Sequence, residues 1–421
     1  MPNDTKTNIK REGRQFEVDA GSVTAERSVN VYTRIFDSDD DPSTVKSDIE
    51  GATRGSSFKF GSGVHDLSGV APIDVPSGAT IEGQQSGLEV SDGTLWADDP
   101  SNTVTAQGTV LKGDTSVDCF TADSLDSFAI RDLAFRDWAS PINLGSGNGV
   151  VQLGTLDNLY VENTAASAIN LNNILYLSGR HWQMSDAFRI FEIENSHDNL
   201  NMGNTTLTNI YGDKQDRTGA SDGAVKIYSS QGSNTCNMLN INRLQARNYT
   251  NPTAVIHKGC DIVYSKFMGL NLESSTTWEI QGAGNFSQNW VSVQFGALDF
   301  KSSKAYNNYF FHPKGNDPEF NINDGTRNWI YCESWDPALF SGTDRQFVWA
   351  DGGLYDGSTK LFDLDGWKTY PPLSAAPSNP SAGQTALADG TNWDPDSDGD
   401  AEIVVYNGTS WVEDTDLGTA L

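Results

Sequence analysis

A repeat restricts what this chain can become more than any other feature. A short apolar pair separated by one residue keeps returning along the middle of the sequence. The copies are Leu133/Phe135 in DLAF, Leu159/Val161 in NLYV, Trp182/Met184 in HWQM, Leu244/Ala246 in RLQA, Leu270/Leu272 in GLNL and Leu298/Phe300 in ALDF, with a weaker copy at Ile210 in TNIYG. Successive copies start 26, 23, 28, 34, 26 and 28 residues apart. A second apolar stretch follows each pair, centred on Ile142, Ile169, Phe191, Val225, Val255, Trp278 and Tyr309. The residues between them are mostly Asn, Gly, Ser and Asp, which favour turns. Alternation with period two marks strands, and no repeat segment holds a helical i, i+3, i+4 pattern for three turns.

Strands recurring at this period cannot bury their apolar faces singly, but stacking coil on coil buries them in one internal ladder. The expected ladder is Leu133, Leu159, Trp182, Ile210, Leu244, Leu270 and Leu298. Leucine-rich repeats share the length but need an L-x-x-L-x-L consensus that is missing, and propeller blades need about 40 residues. The fold class that remains is all-β, a parallel β-helix. Ahead of the repeat, DPSTVKSDIEGATRG (41–55) is a short amphipathic segment with Val45, Ile49 and Ala52 on one face. It is followed by SSFKFGSGVHDLSGVAPIDVPSGATIEGQ (56–84). This order of capping helix, strand, G-x-G-x-x-x-L, strand and P-S-G-A-T-I-x-G resembles the entry coil of the pectate-lyase-like right-handed β-helix family. The resemblance spans roughly residues 43–345, rests on order and period, and implies a right-handed solenoid.

Four regions are expected: an arm (1–42), the solenoid with its closing segment (43–369), a Pro/Ser/Ala-rich linker (370–383) and a small C-terminal β module (384–421). The linker composition packs no core, and AEIVVYNGTSWV reads as two strands around an Asn-Gly turn. Arm, β-helix and tip together are similar to the layout of tail spikes and other virion spikes of tailed viruses. That resemblance implies a homotrimer on the virion surface, with other virion proteins and a host surface glycan or glycoprotein as partners. Three roles stay open: a spike that binds the glycan, one that cleaves it as a hydrolase or lyase, and a structural decoration or turret.

Charge narrows the partners. Lys and Arg total 28 against 56 Asp and Glu, a net charge of −28. Such a field repels nucleic acid and anionic membranes, and no apolar run approaches the roughly 20 residues of a membrane span. Self-repulsion on this scale is tolerated where salt screens it, so a high-salt environment is expected and, with the spike resemblance, a virus of haloarchaea. The N-terminal residues contain no apolar signal core, so no secretory signal is expected.

Glycan-cleaving β-helices work through paired carboxylates. Positions just after the ladder pairs supply Asp137, Glu162, Asp186 and Asp213. Coils about 4.8 Å apart would set acids on neighbouring coils near the retaining distance of about 5–5.5 Å, and acids two coils apart near the inverting one. With 56 acids, however, carboxylate rows arise on any face. The longest insertion, GDKQDRTGASDG (212–223), brings Asp213, Asp216, Arg217 and Asp222 as candidate sugar contacts. Trp138, Trp278 and Trp290 are candidates for stacking on sugar rings, against the plainer reading of core packing. The five histidines show no zinc spacing. Cys236 and Cys260 lie 24 apart, about one coil, where stacked buried thiols are the expectation.

Calcium or another cation is the one cofactor class the sequence raises. Asp394, Asp396, Asp398, Asp400 and Glu402, with Gly399, fall in the register of a calcium loop, but its twelfth position is Val405 and no helices flank it. A helix–loop–helix sensor is excluded. A simpler cation site and a solvated acidic turn both remain.

Overall fold

The computed structural model describes residues 6–19 apart from 12 and 13, residues 32–84, most of 86–332, the strands within 347–363 and most of 373–413. Residues 1–5, 20–31, 91–103, 215–222, 231–234, 313–319, 333–346, 364–372 and 414–421, with shorter stretches at turns, lie outside the described residues.

The corners of the chain explain its course. The strand Thr155–Asn172 is continuous by hydrogen bonding, yet positive φ at Asn158 (54°) and Asn163 (58°) bends it twice. The same break recurs coil after coil. One corner row holds Ser127, Leu153, Tyr176, Asn204, Met238, Tyr264, Gln288 and Asn307; a second, five residues on, holds Asp132, Asn158, His181, Asn209, Arg243 and Gly269; a third holds Asp137, Asn163, Asp186 and Asn248. Asn and Asp tolerate the left-handed region better than other side chains, and they fill the third row and half of the second, whereas the first row is made mostly of other residues.

Between corners each coil runs straight. Face I follows the first corner (129–131, 155–157, 178–180, 206–208), and face II follows the second (133–136, 159–162, 182–185, 210–213, 244–247). Face III carries the second apolar stretch, and face IV is short (125–126, 151–152, 174–175). All of these pair in parallel with the next coil, giving a parallel β-sheet solenoid. Inside lies one continuous apolar core in which Leu133, Leu159, Trp182, Ile210, Leu244 and Leu270 are at most 1% exposed.

Face II keeps the expected register through Leu133, Leu159, Trp182, Ile210 and Leu244. Leu298 is a correction. Leu270 pairs with Val293, while Leu298 pairs with Trp278 and so continues face III. Face III runs Ile142, Ile169, Phe191, Val225, Val255, Trp278, Leu298 and Phe320. Tyr309, expected there, pairs instead with Trp290 on face I. The reason is coil length. The steps Trp290 to Tyr309 to Trp329 to Phe347 are 19, 20 and 18 residues, so a period near 27 loses phase in the last coils.

One inner corner is polar. The Ser265 amide donates to Asn289 Oδ1 (2.8 Å), that of Asn289 to Asn308 Oδ1 (2.9 Å), and that of Asn308 to Asn328 Oδ1 (3.0 Å). Asn289 and Asn308 also donate through Nδ2 to the carbonyls of Ile262 (2.9 Å) and Phe286 (2.7 Å). Buried amides cost little when every group is paired, and this ladder holds the turn at the same height in each coil.

Helix Pro42–Glu50 packs Val45 and Ile49 onto the core, with Asp41 as its N-cap and Pro42 in its first turn. The solenoid starts earlier than residue 43: Arg34–Phe36 pairs in parallel with Ser57–Phe60, and the fully buried Phe36 stacks on Phe58. The arm contains an antiparallel hairpin, Lys6–Arg11 with Arg14–Asp19. The C-terminal module is a three-stranded antiparallel sheet, Thr385–Ala388, Glu402–Tyr406 and Trp411–Glu413. Its small core joins Ala386, Ala388 and Val404 to Trp393 and Trp411. The expected hairpin forms around a four-residue loop, 407–410, with Gly408 at φ 100°. Leu373, inside the expected linker, bridges to Ala388, so the module draws in part of that segment.

Candidate functional site

The four candidate acids do not form one row. Glu162 and Asp213 share an outward row of face II that reads Arg136, Glu162, Ser185, Asp213, Arg247. Asp137 and Asp186 stand on the third corner, at φ 60° and 51°. Asp137 Oδ1 accepts from Asn163 Nδ2 (2.6 Å), as Asp132 accepts from Asn158 (2.7 Å) on the second corner. Glu162 receives the Arg136 guanidinium at 2.9 Å. Ser185 separates Glu162 from Asp213, so two strand spacings, roughly 9–10 Å, lie between those rows.

Asp213 and Asp186 are brought within electrostatic reach of each other. Asp213 is only 3% exposed; Asn248 Nδ2 donates to its Oδ1 (2.8 Å) and the Tyr211 hydroxyl to its Oδ2 (3.3 Å). Burial pushes its carboxyl above the usual carboxylate value. The Asn248 bond, the Arg247 charge and the Tyr211 bond oppose that rise, and the Asp186 charge adds to it. Tyr249 is buried beside them, its phenol raised by burial and by both carboxylates. On the neighbouring turn, Arg189 pairs with Glu192, which also accepts from Ser167 (2.8 Å) and faces Lys226 (3.6 Å). This corner is a buried charge network at the root of the longest insertion. Asp216, Arg217 and Asp222 lie outside the described residues.

Trp138 is a correction. It is fully buried and donates from Nε1 to the Leu111 carbonyl (2.8 Å), so its ring fills the core and meets no sugar. Trp278 sits in register between Val255 and Leu298 on face III, and its side chain lies outside the described residues. In the acidic loop, Asp394 caps the turn, accepting from the amides of Ser397 (2.7 Å) and Gly399 (2.9 Å). Glu402 begins a strand opposite Ala388. Asp396, Asp398 and Asp400 lie outside the described residues, as does Cys260, while Cys236 is buried and in register with Ile262.

Trp290, the third tryptophan expected to stack on sugar rings, belongs to a larger aromatic group that the repeat does not mark. Along face I the outward rows change character. In the early coils they hold ion pairs, Arg131 with Glu82 (2.7 Å) and Arg180 with Asp157 (2.7 Å). In the last coils they turn aromatic: Trp290, Tyr309 and Trp329 follow one another in register, with Ser292, Phe311 and Tyr331 beside them. Val291, Phe310 and Ile330, between the two rows, are buried, whereas the five outward rings are 39–49% exposed. Trp290 and Tyr309 stack at 5.4 Å and 20°, and Phe311 and Tyr331 at 5.0 Å and 17°. The signal available in the sequence was the set WVSV, YFFH and WIYC, spaced 19 and 20 apart.

The fold thus defines a parallel β-solenoid protein. No protein-family model and no curated protein matches the chain. Among solved structures, it is similar to a mutant DFA-IIIase from Arthrobacter chlorophenolicus A6, at 13% identity over 75% of this chain and 85% of that one, with a TM-score of 0.39. It is also similar to ORF18 of Geobacillus virus E2, at 11% identity over 97% of this chain and 81% of that one, with a TM-score of 0.39. Likenesses of this size do not bear on function.

Proposed function

We propose that this chain is a spike or fibre protein of a virus particle that binds a glycan or glycoprotein of the host cell surface without cleaving it. In this reading the solenoid winds right-handed, as parallel strands joined by crossovers do in nearly all cases. The protein works as a homotrimer in high salt, and its source is a virus of haloarchaea. The layout of arm, solenoid and tip supports the spike assignment, and the charge of −28 supports the salt.

The observation that favours binding over cleavage is the fate of the candidate acids. Asp137 and Asp186 occupy backbone corners, Glu162 is matched by Arg136, and Asp213 is buried. A general acid and its partner must reach the glycosidic oxygen and the anomeric carbon, whereas carboxyls placed like these hold neighbouring coils together. The test is to incubate the purified protein, in high salt, with haloarchaeal cells and with polysaccharide from their envelopes. Retention on cells is expected, with neither new reducing ends nor unsaturated products. Product formation would establish the cleaving alternative, and protein that cells do not retain would leave a structural role.

A further inference from the structure

We infer that the aromatic stretch of face I, with Trp290, Tyr309 and Trp329 in one row and Phe311 and Tyr331 in the next, is the surface on which an uncharged polysaccharide lies, along the solenoid axis. The inference rests on the spike reading and gives it a place and a ligand class.

Four observations converge on that ligand. First, the rings are 39–49% exposed yet already ordered. Each is anchored by an inward neighbour, Val291, Phe310 or Ile330, that is at most 2% exposed, and two pairs are stacked on one another. Rings held this way lose little rotamer freedom when something covers them. Second, the repeat is periodic along the axis. Coils in register rise by about 4.8 Å, so an extended polymer parallel to the axis meets a ring at every coil. A polymer crossing the coils would meet two.

Third, charge selects among ligands that stack on aromatic rings. Nucleic-acid bases do so as well, but they need a basic groove for their phosphates. Among the described residues of these outward rows the one basic side chain is Lys266, in register at their head, on a chain of charge −28. A sugar ring has an apolar C–H face and hydroxyl edges, so it covers aromatic area without demanding a counter-charge. Fourth, the area suits a slender ligand. Aromatic side chains carry about 150–250 Å² each; five of them at 39–49% exposure leave roughly 350–580 Å² open. That is the roughly 300–600 Å² of the largest apolar patch on a typical monomer, which is often functional.

The experiment follows binding to the full chain in high salt by isothermal titration calorimetry, with three soluble neutral polymers, dextran, mannan and galactan, and with alginate as an anionic comparison. At least one neutral polymer is expected to bind, more tightly than alginate. Tyr309→Ala and Trp329→Ala should each weaken that binding roughly 2- to 10-fold, and Trp290→Ala with Trp329→Ala should abolish measurable binding. Trp329→Phe, which keeps a ring, should restore most of it. Unchanged thermal unfolding shows that a variant is folded; any variant that fails this is replaced by Phe311→Ala, for which the same loss is expected.

Neutral-polymer binding that survives Trp290→Ala combined with Trp329→Ala overturns the site while leaving the spike reading intact. A wild-type chain that ignores all three neutral polymers, or prefers alginate, overturns the ligand class even if cells retain it. Variants that fall to a smaller oligomer with their sugar binding unchanged identify the face as a contact between copies and overturn the proposal as well.

Discussion

Leu153, Tyr176, Met238 and Tyr264 hold positive φ at the first corner with half or more of each side chain exposed. An L-residue other than Gly, Asn or Asp pays about 1–2 kcal/mol for that conformation, and an exposed side chain recovers little of it through packing. Leu153→Asn is therefore expected to raise unfolding stability, by up to about 1 kcal/mol, in urea titrations. The buried Asn ladder predicts the opposite sign. Asn308→Ala leaves the Phe286 carbonyl and the Asn289 amide without their partner, at a cost of about 2–4 kcal/mol. Neither corner was legible from composition. Asn and Asp were abundant enough to pass for ordinary turn formers, and only cross-coil register separates an Asn that bends the chain, such as Asn158, from one that seals the interior, such as Asn308.

At the scale of elements, two aspartates make opposite predictions about pH. Burial raises Asp213 above its ordinary value of 3.8. Its contribution to stability is thus fully present below that value and lost as pH rises through the raised one. Asp213→Asn should accordingly stabilise the solenoid at neutral pH and flatten its loss of stability above pH 3.8 in thermal unfolding. Asp389 behaves in reverse. The Trp393 amide, the Asn392 side chain and the amides of Thr391 and Asn392 hold its carboxyl well below 3.8. Its contribution is present above 3.8 and is lost as pH falls through the depressed value. Asp389→Asn should weaken the C-terminal sheet at neutral pH and remove its acid sensitivity, followed by the emission of Trp393 and Trp411, whose rings meet edge to face at 5.3 Å.

For the whole molecule, a charge of −28 predicts that salt stabilises. Raising salt from 0.1 M to 1 M shortens the screening length from about 10 to about 3 Å, which suppresses repulsion among the carboxylates that outnumber the bases two to one. The unfolding temperature should climb steadily with salt into the molar range. A flat or falling curve would remove the argument for a high-salt habitat.

The sequence by itself determined that the chain would coil. A strand pair recurring every 23 to 34 residues can bury its apolar face only against the next copy, and Leu133, Leu159, Trp182, Ile210, Leu244 and Leu270 lie in the core as that requires. It also marked the helix that caps the first coil, through Val45 and Ile49. The tertiary structure alone decided which residues share a face, because register depends on the exact length of each coil, and a change of a few residues moves a side chain to another face or corner. That is why Leu298 left its expected ladder, why the four acids fell into two rows, and why Trp138 went inside. For the same reason five aromatic residues spread over 42 positions of sequence came together as one exposed surface.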